Sequence, residues 1–515
     1  MIFLALRDAC AVPRTVLELE TSSRHYDGFT KVTRVCRLWR SVALAYAPLW
    51  SCIRHNAYSR NTVMLATFLE RSGRTPLVVE VEWSIPDAST SDILRNTYRL
   101  RRLKLSGGLT AEHLELLSTQ SAPLVESLEL HSPPAQPDAD LPPLFNGVHP
   151  RLTSLALAGY TRYGQNSFAD IKHLHMARQT FTSVDDLDRL LDLLSSVPRL
   201  EHLILSNSRT TVDISSSQLT TFAHRAIIVP LQRVILTKVD ASLASIIIST
   251  ISAPPEQTLS ILLTGRSEAY RSPTSGIRGP VWDDICRSAQ TFAAMECEGY
   301  GSIDYIVRSP GREIRFARWY NSPDVLLDTF KPVISHAREV WLQAPETSSY
   351  SSDQVLQAVL PRALEATKIH LDMLFPRASN TFGALCAMGP HGALIPNFLQ
   401  PFTRPDGFGR DIELRVKLNS TSPKAYREVR QFREAVSDKG TDEVYCHFTQ
   451  IFVYAPECKE SLKLQKWAEG ANRRQRETHP ELNVLIESED FPEIQLCPAS
   501  TAPCPHNWDL FYPYN

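Results

Sequence analysis

The sequence carries almost no excess charge: 54 Lys and Arg stand against 56 Asp and Glu over 515 residues, a formal net charge of -2. That balance supplies no electrostatic footprint for a nucleic acid or an anionic membrane, so neither is expected as a partner. A long apolar run is also missing. The most apolar stretch, LASIIISTIS at 243–252, is interrupted by serines and a threonine and falls far short of the ~20 residues of a membrane span. The opening MIFLALRDACA has no basic region ahead of its apolar residues and meets Asp8 where a secretory signal would still be apolar, so no secretion is expected. Ten cysteines without a repeated spacing look like reduced thiols, which points to the cytoplasm, the nucleus or both.

Signatures of catalysis are absent as well. There is no G-x-x-x-x-G-K-[ST] loop, no H-E-x-x-H, no G-x-S-x-G elbow and no glycine-rich turn after a strand. Cys497, Cys504 and His506 lie close together, but six residues between the cysteines fit no structural zinc spacing and a second half-site is missing. Cys446 and His447 are adjacent, which on a strand sends them to opposite faces and argues against a thiolate-imidazole pair. Arg473, Arg474 and Arg476 make a small basic cluster, which reads as a solvated helix end rather than a nuclear-import signal. The chain is therefore expected to be no enzyme, with no cofactor and no metal.

What is present begins with KVTRVCRLWRSVALAYAPLWSCI at 31–53. On a helix, Val32, Val35, Cys36, Trp39, Val42, Ala43 and Tyr46 fall on one apolar face, and Lys31, Arg34, Arg37 and Arg40 on the other. Pro48 cannot continue the helix, so Leu49 and Trp50 turn back as a second apolar lip.

A second pattern is apolar-x-x-apolar-x-apolar, recurring at Leu100-Leu103-Leu105, Val125-Leu128-Leu130, Leu152-Leu155-Leu157, Ile171-Leu174-Met176, Leu200-Leu203-Leu205 and Leu231-Val234-Leu236. Its central positions are separated by 25, 27, 19, 29 and 31 residues, close to the ~20–29 of leucine-rich repeats. Each unit is predicted to be a helix followed by a strand. The clearest helix spans 183–197, where Ser183 and Asp186 resemble a capping box with Asp in place of Glu, and Leu187, Leu190, Leu191 and Leu194 make one apolar face. The unit at 241–264 repeats the scheme with Leu243, Ile247 and Ile251. Such units bury their apolar faces only by stacking, so the expected fold class is α/β: an irregular leucine-rich-repeat-like solenoid with parallel strands concave and helices convex.

Strand alternation sends Leu103, Leu155 and Leu203 inward and leaves Arg102, Lys104, Glu129, His202 and Ser206 exposed on the concave side, as candidate contacts for a protein substrate. The expected organisation is a small helical domain over 1–55, regular units over 56–264, degenerate units with long loops over 265–490, and an irregular tail over 491–515. Strands are expected at 292–297, 303–307 and 313–320, repeat-like signals at Ala337-Val340-Leu342 and Ala366-Ile369-Leu371, a helix at 461–471 and a final strand at 482–486.

VCRLWRSVALAYAPLW resembles the second half of the F-box, with Val35, Cys36, Arg37, Trp39, Arg40, Leu49 and Trp50 at the matching positions. The likeness is closest to the F-box-like family expanded in mushroom-forming fungi. Ile2, Phe3, Leu4 and Leu6 look like the end of that family's first helix. Its Leu-Pro-x-Glu start would lie upstream of Met1, so the sequence reads as beginning inside the domain, through a misplaced start or a truncation. The resemblance implies docking to a Skp-type adaptor, and through it a cullin, by Ile2, Phe3, Leu6, Val35, Cys36, Trp39, Leu49 and Trp50, some as core and some as contact. It further implies a substrate-recognition subunit of an SCF-type cullin-RING ubiquitin ligase; the alternative is a non-catalytic repeat scaffold with a relic F-box.

Overall fold

A strand can satisfy its backbone only on neighbours, and a row of leucines on one side of it can leave water only if another layer covers that side. Both constraints are met by one large sheet. The computed structural model describes residues 33–56, 62–82, 89–107, 109–132, 139–163, 166–212, 227–252, 258–264, 280–297, 302–319, 323–344 and 366–373, with shorter stretches at 222, 359, 413–417, 450–454, 465–466, 468–469 and 483–487.

Nine strands pair in chain order and all in parallel: β1 (Cys52–Asn56), β2 (Leu77–Glu82), β3 (Leu100–Ser106), β4 (Ser127–His131), β5 (Ser154–Ala158), β6 (His173–Ala177), β7 (His202–Ser206), β8 (Arg233–Thr237) and β9 (Leu259–Thr264). Then the order reverses. β10 (Thr291–Cys297), β11 (Ser302–Ser309) and β12 (Arg312–Trp319) form an antiparallel meander, with β12 parallel to β9 and β10 parallel to β13 (Glu339–Ala344). β14 (Lys368–Met373), β15 (Glu413–Lys417), β16 (Gln450–Tyr454) and β17 (Asn483–Glu487) complete a 17-stranded sheet in parallel. The architecture is thus mixed α/β with a large, mostly parallel sheet. The final strand expected at 482–486 is β17, and 465–466 and 468–469 within the expected helix at 461–471 are helical.

Parallel strands need crossovers, and helices supply most of them. α1 (Arg37–Ala45) precedes β1; α2 (Thr62–Arg71), α3 (Ser89–Leu94), α4 (Ala111–Thr119), α5 (Val184–Ser195), α6 (Ala241–Thr250), α7 (Pro280–Ser288) and α8 (Pro323–His336) lie between strands. α5 starts where its capping box places it, with Ser183 Oγ accepting from Asp186 N at 3.2 Å and Asp186 Oδ2 accepting from Ser183 N at 3.1 Å. Leu187, Leu190, Leu191 and Leu194 are buried as its spacing predicts.

The expectation of a helix in every unit is corrected between β4 and β6, where the described residues form no α-helix. Pro142 and Pro143 lie in the first of these connections, where they deny a helix its amide donors, and only a short 3-10 turn, Phe145–Gly147, forms. Phe145 and Phe168 fill the space a helix would occupy, each with its ring beside that of His149.

Leu103, Leu128, Leu155, Leu174, Leu203, Val234 and Ile261 lie in register on successive strands and share one core with the helix leucines. Each such side chain contributes about 1.5–3 kcal/mol by leaving water. Behind the meander the core is aromatic: Phe330 of α8 meets Phe316 edge-on at 5.0 Å and stacks on Tyr305 at 5.4 Å, with Trp282 of α7 alongside.

At the ends of β3, β5, β6, β7 and β8 the chain takes a left-handed residue two places after the last core residue: Gly107, Gly159, Arg178, Asn207 and Lys238, with φ between 50 and 109. The last four donate their N–H to the carbonyl of the next strand's terminal residue, at 2.7–2.8 Å. A Cβ at Gly159 would also press on Ser132 Cβ at 3.1 Å. For Arg178 and Lys238 this conformation costs about 1–2 kcal/mol each, which glycine would avoid.

One buried cation ties the first units together. Arg99, 3% exposed, donates to Leu69 O, Gly73 O and Ser72 Oγ at the C-terminal end of α2, and to Asn96 Oδ1. Burial lowers its pKa from the ordinary 12.5, against a small opposing effect of Tyr98, and the helix end favours positive charge there. Arg99→Met is expected to leave those acceptors unsatisfied and to cost about 1–3 kcal/mol. The check is hydrogen exchange across α2, which should accelerate while exchange in β7 and β8 stays unchanged.

Candidate functional site

Two surfaces gather the residues that the sequence singles out. The first is α1 and the turn after it. The continuous helix expected from residue 31 is interrupted: Thr33 and Arg34 are helical, Val35 and Cys36 are not, and α1 begins at Arg37. Cys36 is extended (φ -159) and caps it, its Sγ accepting from Trp39 N at 3.5 Å. Val35 and Cys36 therefore precede the helix, and that part of the expected face is corrected.

The turn Ala47–Trp50 contains Pro48 and returns the chain to the core. Trp50 is 5% exposed; its Nε1–H donates to Ala43 O at 2.8 Å, its ring meets Phe68 edge-on at 5.1 Å, and the Arg71 guanidinium sits 4.8 Å over it. Leu49 is fully buried. These two residues belong to the protein's own core and are no contact surface, which divides the set expected to dock: Leu49 and Trp50 inside, Trp39 half-buried, Cys36 exposed and Val35 60% exposed. Ile2, Phe3 and Leu6 lie outside the described residues.

Leu38 and Val42 are 71% and 42% exposed and extend the apolar stripe from Val35 at a spacing of three and four residues. Leu38 was missed because it fills the unspecified position of the motif. The helical spacing carries the signal, since Leu38 and Val42 are four residues apart on α1 and so share one side. Arg34, Arg37 and Arg40 are exposed beside it.

The second surface is the sheet face turned away from the core. Arg102, Lys104, Glu129, His202 and Ser206 all occupy it, as the alternation requires. Exposure is where the expectation fails: Glu129 is 3% and Ser206 5% exposed. The reason for Glu129 is a charge ladder across strands. Lys104 Nζ and His131 Nε2 lie 3.1 and 2.9 Å from Glu129 Oε1, and on the preceding strands Arg54 meets Glu80 at 2.9 Å. Burial opposes the Glu129 charge, but Lys104 and His131 outweigh it and hold the carboxyl below its ordinary 4.5.

Next along the sheet the face turns apolar. Ala156, Ile204 and Ile235 form a buried cluster separate from the main core, with Leu262 packed against it. His175, also buried, lies 2.8 Å from Ser206 Oγ through Nε2, and burial pushes its pKa down to about 4. The His173 and His202 rings approach to 4.8 Å. Burial lowers the His202 pKa, which Arg233 reinforces and Glu201 opposes. Sequence reasoning missed His131, His175, Ile204 and Ile235, although the same alternation that selected Lys104 and Glu129 marks them.

Farther on, the meander restores charge pairs, Arg308 with Glu313 at 2.8 Å and Arg315 with Asp304. Trp341 and His370 stack at 3.7 Å, and His370 Nε2 lies 2.8 Å from Glu339. Among the described residues no three metal-ligating side chains converge, and no helix is long and apolar enough to cross a membrane. Cys446, His447, Arg473, Arg474, Arg476, Cys497, Cys504 and His506 lie outside the described residues.

The two shifts make acid destabilising. The folded state disfavours protonating His175, so its contribution is full above the ordinary 6.5 and is lost as pH falls toward about 4. The Glu129 contribution is full above 4.5 and is lost as pH falls through its lowered folded value. Stability should therefore decline from pH ~6.5 downward, by about 3 kcal/mol from His175 alone. His175→Asn should flatten the upper part of that slope in thermal unfolding measured from pH 7 to 4.5.

No family model matches the chain, and no curated protein sequence matches it.

Proposed function

We propose that the chain is the substrate-recognition subunit of an SCF-type cullin-RING ubiquitin ligase, with an F-box-like module at α1 and a leucine-rich-repeat-like solenoid after it. The observation that carries this reading is the division of labour within α1 and its turn. Leu49 and Trp50 anchor the segment in the core, while Val35, Leu38 and Val42 are turned to water. Leaving three aliphatic side chains exposed on α1 and the residues just before it is unfavourable unless a partner covers them. The Skp-type adaptor is that partner, and the arginines beside the stripe would steer it.

The solenoid part of the reading rests on successive strands that stack in chain order around a single core row. In that architecture the sheet face bearing Lys104, Glu129, His202 and Ser206 is the concave side, and it would receive a protein substrate. No side chain of the chain performs chemistry in this role. It holds the substrate near a charged ubiquitin carrier, which replaces a bimolecular encounter by proximity. A cullin is joined only through the adaptor, and the work belongs to the cytoplasm or nucleus.

Co-purification with a Skp-type adaptor tests the proposal. The chain, or the same chain extended upstream in frame, is expected to bind. Leu38→Glu should weaken binding by at least about thirtyfold, the ~2 kcal/mol of an interface hot spot, without lowering Tm. Trp50→Ala is unsuitable as a binding control, because emptying a buried tryptophan site is expected to cost about 3–5 kcal/mol of stability. No binding by either form would replace the proposal with the repeat-scaffold reading.

A further inference from the structure

Arg178, Asn207 and Lys238 occupy the same place in three successive units, directly after β6, β7 and β8, and all three have positive φ (54, 50 and 51). At the equivalent place earlier in the sheet the chain uses Gly107 and Gly159. Glycine adopts this conformation freely, and the hydrogen bonds that require it come from the backbone: Arg178 N to Ser206 O, Asn207 N to Thr237 O and Lys238 N to Thr264 O. The fold therefore needs the left-handed backbone at these sites but not the side chains. Asparagine tolerates it, while arginine and lysine gain nothing from it locally. Strain that a simpler residue would remove points to a role for the side chain.

Several cations elsewhere in the chain pair with carboxylates from unit to unit, as in Arg101 with Glu126, Lys104 with Glu129, Lys172 with Glu201 and Arg199 with Asp170. Among the described residues, neither Arg178 nor Lys238 has an acidic partner, nor does Arg209 beside them. Arg178 is exposed, and its Nη2 lies 3.5 Å from His131 Nδ1. The nearest carboxylate in sequence, Asp240, is committed to capping α6 and accepts from Leu243 N and Thr210 N.

We propose that this rim binds an acidic peptide segment of a partner protein, with Arg178 and Lys238 as its cation contacts and Asn207 as a hydrogen-bonding residue between them. Three adjacent strands set the outer two Cα positions about 10 Å apart, and an extended peptide presents same-side residues about 6.8 Å apart. Two carboxylates at that spacing lie within reach of the two long side chains. The proposal deepens the partner-binding role given to the sheet in the reading above, but it does not depend on adaptor docking.

The test uses the full chain, a fluorescent glutamate-rich twelve-residue peptide, its glutamine counterpart and a single-stranded oligonucleotide of equal charge, with binding read by anisotropy at low and moderate salt. The glutamate peptide should bind, more weakly as salt rises, and the glutamine peptide should not. Arg178→Gly with Lys238→Gly should reduce binding at least about tenfold while Tm stays level or rises, because glycine relieves the backbone. Leu38→Glu should leave peptide binding intact, so failure of adaptor docking and failure of this site are separable. Unchanged binding by the double variant, a fall in its Tm, or tighter binding of the oligonucleotide than of the peptide would each overturn the proposal.

Discussion

The register between neighbouring strands is the constraint on which everything else hangs. Leu103, Leu128, Leu155, Leu174 and Leu203 sit opposite one another on consecutive strands, and each is covered only because its neighbour is in place. A shift of one residue at any pair would send the leucine row to the other face and bring Lys104 or Glu129 into the core. The same register that builds the core therefore builds the opposite face, and neither can be altered alone. Cross-strand pairs such as Lys104 with Glu129 and the apolar run of Ala156, Ile204 and Ile235 are by-products of that alignment on which function can act.

The meander shows how far the constraint extends. After β9 the chain lays down β10 three places farther along the sheet and returns through β11 and β12 to close the gap. Parallel pairing survives at both junctions, so the backbone ladder passes through the reversal without a break. A larger, aromatic core backs this segment, because α7 and α8 must span the face of three strands laid down against the order of the chain. Phe316, Tyr305 and Phe330 supply the volume.

The polar elements divide into those that serve the fold and those that do not. Arg99 caps a helix end, Asp186 and Asp240 cap helix starts, and Glu129 joins two strands. The exposed stripe Val35, Leu38 and Val42 and the rim residues Arg178 and Lys238 lack such a role. They burden the isolated chain with exposed apolar surface and backbone strain, and the proposed binding functions are built on those two burdens.

Much of this was legible beforehand. The pattern of apolar residues at spacings of three and two fixes where the strands lie from β3 to β8, and alternation fixes which side chains face the core. Ser183 with Asp186 fixes the start of α5, since capping is a contact between residues three apart. None of these depends on distant chain. Burial of Glu129, Ser206 and His175, the sorting of Leu49 and Trp50 into the core while Leu38 stays in water, the reversed strand order of the meander and the left-handed backbone at Arg178 and Lys238 are different. Each depends on residues of neighbouring elements that only the fold brings into contact. A sequence read locally specifies the faces of each element, whereas only the assembled sheet decides what covers them.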